Sequence, residues 1–487
     1  MSKQIKDLNP ALIWKFFYDL TQIPRPSKKE GEAVEYVKKF GEDRNLETIV
    51  DKAGNVIIKK PATPGMENRK VLLLQGHLDI VPQKNSDKVH DFEKDPVETV
   101  IDGEWVRANG TTLGADNGIG VAAALAVLDS DDLVHGPLEA LFTIDEESGM
   151  TGAFGLEKGV LNADIMLNMD SEDEGELYVG CAGGLDANIS YSYQEVPVPA
   201  GYSAFIIKIS GLKGGHSGLD IVLGRGNANK LLFRIIKHAV KELDAAISHV
   251  DGGGLRNAIP RESEAHLVIP GGREDDLISA VNRLERIFKN ELFAVEPDLN
   301  ISIEKRNAPT SMIDPETSRR LINGIIACPN GVMRMSNSMQ GLVETSTNLA
   351  SVNTGKGEAT IKCLMRSSVD SSRDELAGMM ESLFSLAGAD INFSGAYPGW
   401  KPDMDSEILQ VMRNVYNELY GKIPEIKAIH AGLECGLIGG AYPKLDMISF
   451  GPTIRYPHSP DEKVHIESVE KFWVFLVETL KNIPVKQ

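Results

Sequence analysis

Cysteine is scarce in this chain: Cys181, Cys328, Cys363 and Cys435 are the only four in 487 residues, and no two stand at C-x-x-C spacing. That excludes a disulfide framework and a thiolate zinc cluster, and predicts reduced, partly buried thiols of a cytoplasmic protein. Long apolar runs are missing too. No stretch approaches the roughly 18 uninterrupted apolar residues of a membrane span. The N-terminus, Met1-Ser-Lys-Gln-Ile-Lys-Asp, is polar with no apolar stretch behind it, so no signal peptide is expected. Basic residues are outnumbered, with 51 Lys and Arg against 70 Asp and Glu and a net charge of -19. Such a field repels phosphate backbones and argues against nucleic acid as a partner. The excess acid is mostly dispersed and reads as solubilising.

The chain does have apolar material for a large core, 42% of it in short Leu, Ile and Val runs, and length enough for two domains. Residues 10–41 carry a helical period broken at Pro24 and Pro26. Glu47-Thr-Ile-Val and Asn55-Val-Ile-Ile read as a strand pair, and Val71-Leu-Leu-Leu-Gln-Gly as a buried strand. A long irregular stretch, 78–110, follows, with a turn at Asp102-Gly103. Residues 118–129 form a small-residue helix suited to close packing, and strands fall near 138–145 and 163–169. Strands alternating with helices predict an α/β domain with a doubly wound, mostly parallel sheet.

Near residue 185 the texture changes. Residues 203–310 read strand, helix, strand, strand, helix, strand: Ala204-Phe-Ile-Ile-Lys-Ile, a helix from Asn227, hairpin strands near 256 and 264, a helix from Glu274, and Leu299-Asn-Ile-Ser-Ile. The order recurs with a helix near Pro315, strands near 342–352 and 358–366, a helix at Arg373 and the strand Ile391-Asn-Phe. This predicts a doubled β-α-β-β-α-β unit in an inserted α+β domain. The expected organisation is therefore 1–185 plus 400–487 as a catalytic, metal-binding domain and 186–399 as an inserted lid.

Five acid and imidazole side chains lie just past apolar runs: His77, Asp116, Glu147, Asp170 and His458. Sites in open α/β sheets form outside the carboxyl ends of the strands. Each residue also has a bland reading. His77 and His458 could be loop histidines. Asp116 or Asn117 could cap the small-residue helix, and Glu146-Glu147 and Asp170 could belong to solvated loops. Pro457 and Pro460 are expected to hold His458 extended. Joint placement favours one assembled site. Asp79, in His77-Leu-Asp79, is close enough in sequence either to orient the imidazole or to orient a loop. Adjacent extended side chains diverge, so one of Glu146 and Glu147 can bind metal while the other acts as general base. Mixed imidazole and carboxylate donors suit zinc, with manganese or cobalt as alternatives. Two His and three acids suit two divalent metal ions sharing one carboxylate.

The order His-x-Asp, Asp-Asn-Gly, Glu-Glu, Asp and a late His resembles the co-catalytic zinc aminopeptidases and carboxypeptidases that include aminoacylase, peptidase T and carboxypeptidase G. Within them it resembles the bacterial cytosolic dipeptidases that act on aminoacyl-histidine. The resemblance runs through Gln75-Gly-His-Leu-Asp-Ile-Val-Pro-Gln-Lys-Asn, His90-Asp-Phe-Glu-Lys-Asp-Pro, Asp102 to Gly120 and Gly214-Gly-His-Ser-Gly. It implies that His77, Asp116 and Asp170 hold one metal, and that Glu147, His458 and the shared Asp116 hold the other. Asp79 then orients His77, and Glu146 is the base. His216 would stabilise the oxyanion, Asn257 and Arg366 would bind the peptide and its carboxylate, and Gly432 would line the catalytic side.

The implied activity is a dipeptidase acting on dipeptides with a free N-terminus, Xaa-His included. An N-acyl amino acid deacylase and a catalytically silent peptide-binding protein are the alternatives. Smaller-lidded relatives take the oxyanion histidine from a second subunit. The doubled lid here implies that His216 serves its own chain, which leaves a homodimer free to form through another surface.

Overall fold

The computed structural model describes residues 4–486. It contains two compact units. One comprises the chain up to Gly180, Trp400–Ala428 and the chain from Leu433; the other comprises Cys181–Gly399 and Ile429–Gly432.

The first unit carries an eight-stranded sheet in the order Glu47–Val50, Val56–Lys60, Leu138–Thr143, Leu72–His77, Ile165–Asn168, Asp446–Ser449, Glu176–Cys181 and Glu425–Ile429. The four central strands run parallel, with Gln75 opposite both Leu141 and Asn168, and Thr143 opposite His77. Of these, Leu138–Thr143, Leu72–His77 and Ile165–Asn168 are buried along their whole length, as a sheet covered on both faces requires. Antiparallel strands flank the parallel core. The small-residue helix spans Ala115–Asp129 and is buried on every side from Asn117 to Leu128, so its lack of an apolar stripe follows from burial all round. At Gly118 a Cβ would lie 2.9 Å from Phe17 and 2.7 Å from the Arg25 guanidinium, and glycine permits that approach.

Residues 78–110 are less irregular than the sequence suggests. Thr99–Asp102 and Trp105–Ala108 pair as a hairpin across Gly103. Trp105–Ala108 continues onto Lys463–His465, with Val106 opposite Val464, and then onto Ile454–Arg455. The hairpin has no local signal because the strand that completes it, Lys463–His465, lies near the other end of the chain.

The second unit contains both copies of the expected repeat, but nested. In chain order its elements are β1 (Gly183–Ser192), β2 (Tyr202–Ser210), α1 (Ala228–Leu243), β3 (Ala246–Gly253), β4 (Ser263–Pro270), α2 (Glu274–Glu291), β5 (Asn300–Arg306), α3 (Pro315–Ala327), β6 (Val343–Gly355), β7 (Glu358–Ser367), α4 (Asp370–Leu386) and β8 (Asp390–Tyr397). They form one antiparallel sheet in the order β5-β2-β4-β3-β6-β7-β1-β8, with Gly331–Met335 also paired to β6. One copy is β2-α1-β3-β4-α2-β5. The other is β1-α3-β6-β7-α4-β8, and its first strand precedes the whole of the inner copy. The copies join edge to edge where Asp251, Gly252 and Gly253 face Asn353, Val352 and Ser351. The strand expected near residue 256 is met by two pieces, β3, ending at Gly253, and the short Ala258–Ile259, with Asn257 in the turn between them. The amphipathic helices close one continuous core around Phe233, Phe288 and Phe384. Asn227 caps α1 by accepting from the Lys230 amide.

Candidate metal centre

His77 ends its strand with both ring nitrogens engaged. Nδ1 lies 3.2 Å from the Asp79 carbonyl and 3.3 Å from Asp79 Oδ1. Nε2 lies 3.1 Å from Asp116 Oδ1 and 3.3 Å from Asp170 Oδ1. The other oxygen of Asp116, Oδ2, lies 3.3 Å from His458 Nε2, which is 3.0 Å from Glu147 Oε2. Three donor sets meet here, His77–Asp116–Asp170, Asp116–Glu147–His458 and His77–Glu146–Glu147, each with ligand atoms within 4.8 Å of one another; the first two together hold all five expected ligands. Asp116 belongs to those two, with Oδ1 toward His77 and Oδ2 toward His458.

The charges require something more than these side chains. One imidazole nitrogen can donate a single hydrogen, yet His77 Nε2 faces two carboxylate oxygens. Burial and the neighbouring acids push Asp170 up to about 7, against the pull of His77. Burial holds Glu146 well above its usual range. His458 is driven to about 11 by its contacts with Asp116 and Glu147. Carboxylates and imidazoles arranged this way would be relieved by bound cations, and the donor set fits two of them.

Asp79 does more than face His77. Its carboxylate accepts the amides of Glu146 and Glu147 at 2.9 and 3.1 Å and the Ser27 hydroxyl at 2.8 Å. Burial would raise its pKa, but these bonds and His77 hold it down at about 2. One side chain thus fixes both the first imidazole and the Glu146-Glu147 turn. Glu30, Asp79 and Asp145 also cluster, but internal donors serve them. Glu30 accepts the Lys28 and Asp145 amides, and Asp145 accepts the Ser148 and Thr151 hydroxyls.

Neither Asp116 nor Asn117 caps the Ala115–Asp129 helix. Glu462 does so from a distance, accepting the amides of Leu113, Gly114, Ala115 and Asp116 at 2.7 to 3.2 Å. Asp116 is thereby released from capping. Asn117 turns inward, its amide donating to the Met169 carbonyl at 2.5 Å. His458 is not extended as its flanking prolines suggested. Its φ is 58°, and Tyr456 is at 56°. Pro457 and Pro460 sit in a turn, which aims the imidazole at Asp116 while leaving its side chain half-exposed.

Several supporting groups carry no signal in the sequence. Arg25, between the two prolines read only as helix breaks, is buried. It donates to the carbonyls of Leu78 at 2.8 Å and Gly114 at 2.7 Å. Glu434 accepts from Gln75 at 2.6 Å and Thr143 at 2.7 Å, near the strand ends that bear His77 and Glu146. No motif signals any of them. Arg25 and Glu434 are isolated polar residues in sequence, and Glu462 has only its position four residues after His458.

In the second unit, Gly215–His216 pairs with Ala258–Ile259, and the Ser217 amide donates to the Asn257 carbonyl at 2.8 Å. Arg366 is buried on β7, with Nε 3.4 Å from the Ser217 hydroxyl and Nη1 3.1 Å from the Tyr397 hydroxyl. Gly432 closes the Ile429–Gly432 segment, which the Ala182 amide holds through the Ile429 and Ala431 carbonyls. His216 Nδ1 accepts the amides of Gly218 and Leu219 at 3.2 and 3.0 Å. Burial and Arg366 lower its pKa, so the neutral ring carries its hydrogen on Nε2.

Residues 73–482 match the model of peptidase family M20/M25/M40. The chain belongs to this family. Among its M20 relatives, it is 49% identical over 486 residues to the cytosol non-specific dipeptidase of Escherichia coli (strain K12), covering 99% of this chain and 100% of that protein. It superposes on the aminoacylhistidine dipeptidase of Vibrio alginolyticus with a TM-score of 0.95 at 50% identity, covering 100% of this chain and 99% of that one. The aminopeptidase PepT of Bacillus cereus shares this M20 fold at a TM-score of 0.62 and 17% identity, over 98% of this chain and 99% of that one.

A pH dependence follows for the metal-free protein. Glu434 and Glu462 are raised to about 7 and Glu172 to about 8, all by burial first, alongside Asp170. An acid raised on folding costs stability as pH climbs from its unfolded value to its folded one. His458, raised to about 11, loses its contribution above its unfolded value near 6.5. Asp79, held at about 2, loses its contribution only at acid pH. Between pH 5 and 8 the chelated protein is therefore expected to become less stable, whereas bound metal favours the deprotonated ligands as pH rises. Thermal unfolding at several pH values, with chelator and with zinc, should show a gap that widens toward pH 8. A chelated midpoint that rises over that range would contradict the electrostatic reading.

Proposed function

We propose that this chain is a cytoplasmic, metal-dependent dipeptidase that hydrolyses dipeptides with a free N-terminus, aminoacyl-histidine substrates among them. The two-sided placement of Asp116 carries the reading, because it supports a pair of cations sharing one carboxylate. The full-length likeness to two proteins named as dipeptidases supports the substrate class.

Two divalent cations, zinc first and manganese or cobalt as alternatives, would be held by His77, Asp116, Asp170, Glu147 and His458. When bound they supply Lewis acidity to the scissile carbonyl and acidify water. Asp79 holds His77 in one tautomer and fixes the turn bearing Glu146. Glu146, with its raised proton affinity, takes the proton of the attacking water and passes it to the leaving amine nitrogen. His216 Nε2–H would donate to the oxygen that becomes negative, an interaction stronger in the transition state than before it. Arg366, whose guanidinium meets the hydroxyls of Ser217 and Tyr397, would take the substrate's terminal carboxylate. Asn257 would bind the peptide, and Gly432 would leave room beside it.

Chelated enzyme should be silent, and zinc, manganese or cobalt should restore cleavage of β-alanyl-histidine, alanyl-histidine and glycyl-leucine. A tripeptide and an N-acetyl amino acid should stay intact. Cleavage of the acetylated compound alone would make the protein a deacylase, and silence on all substrates with metal bound would make it a binding protein. Glu146→Gln should lower kcat about 10²- to 10⁴-fold with metal content unchanged; a nearly active variant contradicts the assignment.

His216 is proposed to serve the site of its own chain. Co-expressed Glu146→Gln and His216→Ala chains should then show no activity beyond either variant alone. Recovery well above both would mean that neighbouring chains exchange the histidine.

A further inference from the structure

Glu462 lies outside the three donor sets, yet few carboxylates in the first unit are more completely engaged. It is 2% exposed. Oε2 accepts the amides of Leu113 at 2.7 Å and Gly114 at 2.9 Å, and Oε1 those of Ala115 at 2.8 Å and Asp116 at 3.2 Å. Four consecutive amides therefore converge on one side chain, the last of them belonging to Asp116 itself. From the other side Arg25 donates to the Gly114 carbonyl at 2.7 Å and the Leu78 carbonyl at 2.8 Å. A Cβ on Gly114 would come within 2.8 Å of that guanidinium and 2.7 Å of Ile80, so glycine at φ 72° lets the loop pass between the two clamps.

The sequence position of Glu462 gives this arrangement its consequence. It follows His458 by four residues, between the turn that aims the imidazole and the Lys463–His465 strand paired to Trp105–Ala108. The loop that delivers His458 and the loop that delivers Asp116 are thus joined by four buried hydrogen bonds to one side chain. Asp116 Oδ2 and His458 Nε2 stand 3.3 Å apart where the two loops meet.

We propose that Glu462 is a positioning residue for the dinuclear centre: it sets the Asp116 loop against the His458 loop before metal arrives, and so determines whether Asp116 can be shared. The inference rests on the two-metal reading above. Glutamine is the informative substitution. It has one acceptor oxygen, and its amide hydrogens would point at two backbone N–H groups, so at most two of the four bonds survive.

The test is cobalt binding to chelated wild type and Glu462→Gln, followed by calorimetry and by the visible absorption of bound cobalt. Expected are two cobalt ions in wild type, a second ion bound at least tenfold more weakly by Glu462→Gln with an altered cobalt spectrum, and kcat lowered while KM stays within about twofold. Glu462→Asp, which keeps two acceptor oxygens, should fall between them. Two ions bound by Glu462→Gln with wild-type affinity and spectrum would overturn the proposal. Should that variant fail to fold, hydrogen exchange of metal-free wild type decides. Slow exchange of the amides of residues 113–116 supports a loop set before metal, and exchange as fast as an open loop overturns it. A wild type that binds one ion refutes the two-metal reading instead, and the exchange measurement still judges the clamp.

Discussion

The acids that converge at the strand ends of the first unit carry more negative charge than the two imidazoles can balance, and much of the structure follows from holding that excess in place. Asp79, Asp116 and Asp170 lie around one buried histidine. Taken alone, such a cluster would keep protons that a neutral solution would otherwise remove, as the raised Asp170 shows. The protein tolerates the arrangement by giving many of the surrounding carboxylates donors, while Asp170 Oδ1 and Glu434 Oε1 are left without a hydrogen bond. Backbone amides serve Asp79, Glu30 and Glu462, and side chains serve Glu434 and Asp145. The oxygens that remain turned toward the imidazoles are those a pair of cations would use.

Rigidity at this point comes from distant parts of the chain. The parallel strands place His77 and the Glu146 turn side by side because Thr143 is opposite His77 in register. Asp170 follows the neighbouring parallel strand by two residues. Asp116 and His458 are not on strands at all, and each depends on a loop held by something else. A shared four-stranded sheet and Glu462 perform that task.

Much of this was legible in the sequence, and what was missed has a common physical origin. Apolar runs ending in His77 and Asp170 announced strand ends, because a buried parallel strand needs continuous hydrophobic residues. Periodicity gave the helices and most strands of the inserted unit. What pattern could not give was anything defined by a partner far along the chain. The Thr99–Asp102 hairpin depends on Lys463–His465, β1 belongs to a copy whose next element begins at Pro315, and the cap of the Ala115–Asp129 helix comes from Glu462. The His458 turn was misjudged because two prolines restrict their own φ, and leave a residue between them free to adopt φ 58°.

The central claim is that Asp116 is shared, one oxygen to each of two cations. Diffraction from zinc-soaked crystals, with data on both sides of the zinc absorption edge, tests it most directly. The account predicts two anomalous peaks about 3.5–4 Å apart, with Asp116 Oδ1 on the His77 side and Oδ2 on the His458 side. A single peak, or two peaks with Asp116 bound to only one, would contradict it.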